Sequence, residues 1–171
     1  MLKQLIPDLY VESVFHIDLD ELQKRGVKGI ITDLDNTLVR WDEPDATPKL
    51  IEWLDHVRDT RGIKVCVVSN NNNHRVEQFS APLNIPFIGR ARKPKRSPFV
   101  RALEVLGTKR EETVVIGDQL FTDVLGGNRM NMYTILVMPV ADKEWIGTKV
   151  LRAMERVAFA ILRRRGMIPW E

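Results

Sequence analysis

The chain has 171 residues, 44% of them hydrophobic and 29% charged, with a net charge of +3. That length suits one packed domain, and the balance excludes a disordered or fibrous chain. No apolar run approaches the roughly 18–20 residues of a membrane span, and the N-terminal MLKQLIPDLY has too short an apolar core for a secretory signal. A cytosol-like location is expected, and the single cysteine excludes an internal disulfide.

Taken in order, VKGIITDLD (27–35) is a predicted strand, β-branched and apolar, running into Asp33 and Asp35. Thr47-Pro48 reads as a helix start, an N-cap followed by proline, and KLIEWLDHVRDTR continues that helix to Gly62. IKVCVVSN is a second strand, continuously apolar as buried parallel strands are. Cys66 within it reads as a small core residue. NNHRVEQFSAPL is a short helix, IPFIG a short strand, and Ser97-Pro98 repeats the start signal before FVRALEVLG. TVVIGD is a strand ending in an acid, TDVLGGNRM a short helix and YTILV a further strand. From Asp142 the pattern is helical almost to the end. His16, His56 and His74 have no zinc-ligand spacing.

This β-α alternation predicts a doubly wound, Rossmann-like α/β domain with a mainly parallel sheet. Ligands of such sheets bind beyond the carboxyl ends of the strands. Asp33, Ser69 and Asp118 each sit at such an end. Asp33 and Asp35, two apart, share a side if the strand reaches Asp35. Carboxylates that close repel unless a cation or proton intervenes, and a hard dication such as Mg²⁺ resolves this with oxygen ligands. One aspartate can then attack phosphorus while the other moves protons. A plain turn at DLDNT is the competing reading. Ser69 suits either a phosphate oxygen or a helix cap. Lys93 in RKPK suits either a phosphoryl group or a solvated loop. Asp118 suits either a metal or an N-cap, and Asp123 either ligates through water or orients its loop.

The ordered set DLDNT, VVSN, RKP and GDQLFTD resembles the four signature motifs of the haloacid dehalogenase (HAD) superfamily phosphatases. More narrowly, IPDLYVESVFHID, DLDNTLVRW, ARKPKRSPF and GDQLFTDVLGGNRM resemble the YqeG family, in HAD subfamily IIIA, over about residues 5–140. The resemblance implies Asp33 as nucleophile, Asp35 as general acid/base, and Ser69 and Lys93 as stabilisers of phosphate and intermediate. It implies Mg²⁺ held by the Asp33 carboxylate, the Asp35 backbone carbonyl and the Asp118 carboxylate, with Asp123 nearby. Lys95 competes for the lysine role, but the KP context favours Lys93. The family is also similar to phosphatidylglycerophosphate phosphatases, which makes a phospholipid monoester a candidate substrate. A phosphoprotein or small metabolite is the alternative. No P-loop or GxGxxG is present, and Leu38 stands where a calcium loop needs glycine.

Only residues 36–68 lie between Asp35 and Ser69, and only 70–92 between Ser69 and Lys93. Neither gap accommodates a large cap domain, so an open, capless or minimally capped site is expected. The whole chain, 1–171, is read as one domain, with 142–171 an amphipathic helix and tail. Two segments are basic: Arg90, Arg92, Lys93, Lys95, Arg96 and Arg101, then Lys149, Arg152, Arg156 and Arg163–Arg165. On the helix, Val150, Leu151, Met154, Val157, Ala158, Ile161 and Leu162 fall on one side and the basic residues opposite. That side either covers the sheet, the favoured reading, or docks on an anionic membrane. Trp170 suits either an interfacial anchor or a packed terminus. A basic RNA- or ribosome-binding module with incidental phosphatase activity is the rival reading, weakened by the lack of any aromatic-interleaved basic motif. The oligomeric state is left open.

Overall fold

Among the described residues, six parallel strands form one sheet in the order β1-β6-β5-β2-β3-β4. The structure is a computed structural model, which describes residues 2–141 and 146–168. The helix start expected at Asp142 and the tail residue Trp170 lie outside them. The strands are β1 (Leu9–Val11), β2 (Gly29–Thr32), β3 (Lys64–Val68), β4 (Phe87–Ile88), β5 (Thr113–Gly117) and β6 (Tyr133–Val137). The main helices are α1 (Leu19–Lys24), α2 (Pro48–Asp55), α3 (Asn73–Ser80), α4 (Arg96–Leu106), α5 (Leu125–Arg129) and α6 (Ile146–Arg164).

Both faces of the sheet are covered, which is why its strands read as unbroken apolar runs. Ile30, Val65, Val67, Val114 and Ile116 point into a core with α1, α2 and α3. The intervening Ile31, Cys66, Val68 and Val115 point the other way, onto α4. Cys66 is wholly buried, and burial pushes its thiol up to about 12, so it is an inert core residue.

The expected helix start at Thr47 holds: its hydroxyl accepts the Leu50 N–H at 3.2 Å. The expected single helix to Gly62 instead ends at Asp55 and continues as one π turn, His56–Thr60, before Gly62 at φ +64°. Ser97 is not a cap. α4 begins at Arg96, because Pro98 still falls in the first turn, where a missing N–H costs nothing. The expected strand through Asp35 ends at Thr32. The edge strand β1 was not foreseen: three half-buried residues, paired to Ile135–Val137, are too few to show a period. Between Asp35 and Ser69 lie a loop, α2, the π turn and β3. Between Ser69 and Lys93 lie α3 and β4. No cap domain is inserted.

Candidate active site

From β2 the chain winds outward through β3 and β4, then returns to place β5 and β6 on the other side. The sheet therefore has its switch point between the carboxyl ends of β2 and β5, where α/β sheets bind ligands. Asp33 follows β2, and its N–H donates to the Ile116 carbonyl at 2.9 Å, so strand pairing extends one residue beyond Thr32. Asp118 follows β5. Ser69 follows β3, with its N–H on the Ile88 carbonyl at 2.9 Å. A cavity of about 510 Å³ opens there, lined by Asp33, Asp35, Ser69 and Lys93, with Trp41 and Gln119 also on its wall.

The two acids of DLDNT reach the same cavity although the strand has ended. Leu34 between them is fully buried in the core, which turns both carboxylates the other way. The turn reading also holds. Asn36 takes φ +64°, a conformation asparagine tolerates, and its N–H reaches the Val39 carbonyl at 2.6 Å. Asp35 is clamped from α3 and the turn before it: Asn71 of the turn donates at 2.8 Å, and Arg75 of α3 donates through Nε and Nη2 at 3.2 and 3.0 Å. Burial raises the Asp35 carboxyl above the usual range, against the pull of Asn71 and Arg75. Neither clamp residue was singled out in the sequence. Arg75 lies within a helix that showed only its period, and Asn71 lies on the approach to it.

Lys93 is 7% exposed and lines the cavity, whereas Lys95 is exposed and is not on its wall. The Lys93 Nζ sits 3.0 Å from Asp33 Oδ1 and 2.6 Å from Asp123 Oδ1. Burial alone would lower its pKa, but Asp123 and Asp33 together hold it above the ordinary lysine value. Asn70 fixes the loop, accepting the Lys93 N–H at 2.7 Å and donating to its carbonyl at 3.3 Å. The Lys93–Pro94 peptide is cis. Ser69 does not cap α3; Asn72 does, accepting the Arg75 N–H at 2.9 Å. The Ser69 oxygen accepts the Asn71 N–H at 3.1 Å, and its own O–H is a donor.

Carboxylate oxygens of Asp33, Asp118 and Asp123 lie within 4.8 Å of one another, and all three residues are buried. Asp118 accepts from the Thr37 hydroxyl at 3.1 Å and from Arg152 of α6, and Arg152 also donates to the Asp118 carbonyl at 2.6 Å. Asp118 is therefore no helix cap. Asp123 binds Lys93 through one oxygen and the Gln119 N–H through the other, at 3.2 Å, so it orients its loop. Burial and the Asp33 charge push the Asp118 carboxyl well above the usual range, against Arg152. Burial likewise pushes Asp123 up to about 6, against Lys93. Three carboxylates face two cations in a buried cluster, so it is short of positive charge. Asp35 is not in this group. Arg152 was expected in water on the basic face of the last helix; its side chain is instead 17% exposed and ion-paired. Only tertiary packing brings a residue so late in the chain to Asp118.

Gly117 is the hinge of this arrangement. A Cβ there would stand 2.1 Å from the Asp123 carboxyl carbon. Gly117→Ala is expected to destabilise the protein by about 1–3 kcal/mol and to displace Asp123 from Lys93. Urea unfolding measures the first effect, and a crystal structure of the variant the second.

Residues 90–145 match the HAD-hydrolase-like family model. The chain is 55% identical to a probable phosphatase, YqeG, of Bacillus subtilis, over 100% of this chain and 99% of the relative. It is 26% identical to the chloroplastic/mitochondrial phosphatidylglycerophosphate phosphatase 1 of Arabidopsis thaliana, over 96% of this chain but only 50% of that protein's length. Among solved structures, a HAD phosphatase from Thermococcus onnurineus superposes with a TM-score of 0.56 at 18% identity, covering 70% of this chain and 90% of that one. The full-length similarity at this identity establishes the assignment: the chain belongs to the YqeG family of HAD-type phosphatases.

Proposed function

We propose that the cavity hydrolyses a phosphomonoester through a phosphoryl group carried transiently on Asp33. The observation that carries this reading is the meeting of Asp33, Asp35, Ser69 and Lys93 on one cavity wall, over a buried carboxylate cluster short of positive charge. An Asp33 oxygen attacks phosphorus, and the bond to the leaving oxygen breaks as Asp35 gives that oxygen its proton. Water then attacks the phosphoryl group while Asp35 takes its proton, releasing phosphate and restoring Asp33. Lys93 offsets the Asp33 charge as the phosphoryl group arrives, and the Ser69 hydroxyl donates to a phosphate oxygen. Asp123 and Asn70 hold Lys93 in place.

The cluster fits a hard dication. Asp33 and Asp118 would hold Mg²⁺ with the Asp35 backbone carbonyl, and Asp123 would stand close by. Bound there, the ion would neutralise developing phosphate charge.

Phosphatidylglycerophosphate is the substrate we favour. It is the substrate named for the Arabidopsis relative. The absence of an inserted cap suits a phosphate carried on a large body, and Trp41, 41% exposed, offers an apolar edge to the cavity. The RNA-binding alternative loses support, because Lys93 and Arg152 are engaged inside the domain.

The test is phosphate release with Mg²⁺ and with EDTA, on phosphatidylglycerophosphate in mixed micelles, a phosphopeptide, sugar phosphates and an aryl phosphate. Mg²⁺-dependent turnover of the lipid far above the rest is expected. A phosphopeptide turned over faster than the lipid would sink the substrate assignment.

A pH prediction follows from the Asp35 clamp. Bond cleavage needs Asp35 protonated, so kcat/KM for an alkyl phosphate falls as pH rises through the Asp35 pKa. Arg75 pulls that pKa down. Arg75→Gln is therefore expected to move the alkaline limb upward. A limb that stays put or moves down would remove Asp35 from the acid role.

A further inference from the structure

Helix α6 packs by an unexpected face. Ala158 and Leu162 are buried among Leu5, Leu120, Val124 and Leu136. On the same side Glu155, 3% exposed, accepts the Leu120 N–H at 2.6 Å, and Arg152 reaches Asp118. The wide apolar arc of the sequence is thus split, and only its edge covers the sheet. Val150, Met154, Val157 and Ile161 are left 66%, 52%, 60% and 38% exposed. Their spacing of four, three and four residues sets them in one stripe about 16 Å long. Single exposed apolar residues are ordinary, but an aligned row of four on one helix marks an interaction surface.

Charge identifies the occupant. The exposed Lys149, Arg156 and Arg163 form a row about a third of a turn round the helix from the stripe, and the exposed Arg164 and Arg165 follow at its end. Between residues 149 and 165 the only acid is Glu155, which is buried and paired with Arg152 at 2.8 Å. A second copy of the helix would bring the same basic row and no acid to meet it. A nucleic acid would match the charge and leave the apolar row in water. An anionic lipid surface satisfies both, because apolar side chains enter the acyl boundary while arginines meet headgroup phosphates. No helix among the described residues is long and apolar enough to cross a membrane, so the contact is peripheral.

We propose that α6 docks this protein on anionic bilayers, with Val150, Met154, Val157 and Ile161 inserted at the interface and the basic row on lipid phosphates. The docking stands independently of the catalytic reading, since it rests on α6 alone.

The experiment is co-sedimentation of the full chain with vesicles of phosphatidylcholine and of a phosphatidylcholine–phosphatidylglycerol mixture. Wild type is expected to pellet with the mixture and not with phosphatidylcholine. Met154→Asp/Val157→Asp should weaken binding to the mixture by about tenfold per residue, with hydrolysis of a soluble aryl phosphate unchanged. Arg156→Gln/Arg163→Gln, which spares the stripe, should weaken the preference for the anionic vesicles. Sedimentation equilibrium should find wild type and both variants in the same oligomeric state. Wild type left in the supernatant, or apolar-stripe variants that still pellet, would overturn the proposal. So would a wild-type dimer that the aspartates dissociate, which would assign the stripe to a second copy. Failure of aryl phosphate hydrolysis in wild type with intact vesicle binding would instead count against the catalytic reading.

Discussion

Asp33→Asn is expected to lower phosphate release on the order of 10⁴-fold or more while leaving the protein folded. The amide is nearly isosteric with the carboxylate, so packing at the end of β2 is kept, but it is no nucleophile toward phosphorus. Lys93 loses one ion-pair partner and keeps the nearer one, Asp123 at 2.6 Å. The neighbouring acids gain, because the Asp33 charge is among the causes that raise both Asp118 and Asp123. Removing it from a cluster short of positive charge relieves repulsion. The melting temperature in EDTA should therefore hold or rise. Single-turnover phosphate release and a thermal melt on one preparation separate the two effects. Residual turnover within tenfold of wild type would remove Asp33 from the nucleophile role.

Lys93→Met should damage both stability and activity. The methionine roughly matches the lysine stem in volume, so the change is mainly one of charge. It strands Asp33 and Asp123 in a site where their side chains are 11% and 2% exposed. Breaking a buried pair from one side costs about 3–5 kcal/mol, because the remaining charge is left uncompensated. For a chain of this size the melting temperature should fall by roughly 10 °C. The measurement belongs in EDTA, where only the chain's own charges count. Adding Asp123→Asn should recover much of the lost stability, as replacing both partners of a buried pair often does. It should not recover activity, because the phosphoryl group still lacks its cation. A single variant as stable as wild type would mean that burial of the two carboxylates does not depend on Lys93.

The strand-end acids were legible because the chemistry and the fold both leave local traces. A buried parallel strand is an apolar run, and an acid at its end breaks that run. Asp33 and Asp118 therefore announced themselves, as did Ser69. Lys93 was separable from Lys95 only by its proline, and burial is what distinguishes them in the structure. The clamp on Asp35 was not legible. Asn71 and Arg75 belong to the first part of α3 and its approach, where polar residues are ordinary, and nothing in their spacing refers to Asp35. The same holds for Asn70, whose side chain bonds to Lys93 across the site.

The amino-acid sequence by itself determined the alternation of elements, the parallel sheet, the strand ends that carry the acids and the lack of room for a cap. Those features depend on periodicity and on local breaks, which a chain displays in order. The tertiary structure alone decided which cation meets which acid, and which part of α6 faces the sheet. Arg152 and Asp118 are brought together by the packing of α6 against the turn Leu120–Val124 after β5. The apolar arc of α6 was wider than the surface available to cover, so packing had to choose an edge. It chose the edge holding Ala158 and Leu162, whose side lets Glu155 satisfy the Leu120 N–H and Arg152 reach Asp118. Burying the Val150–Ile161 stripe would have turned that ion-paired edge away from the cluster it completes.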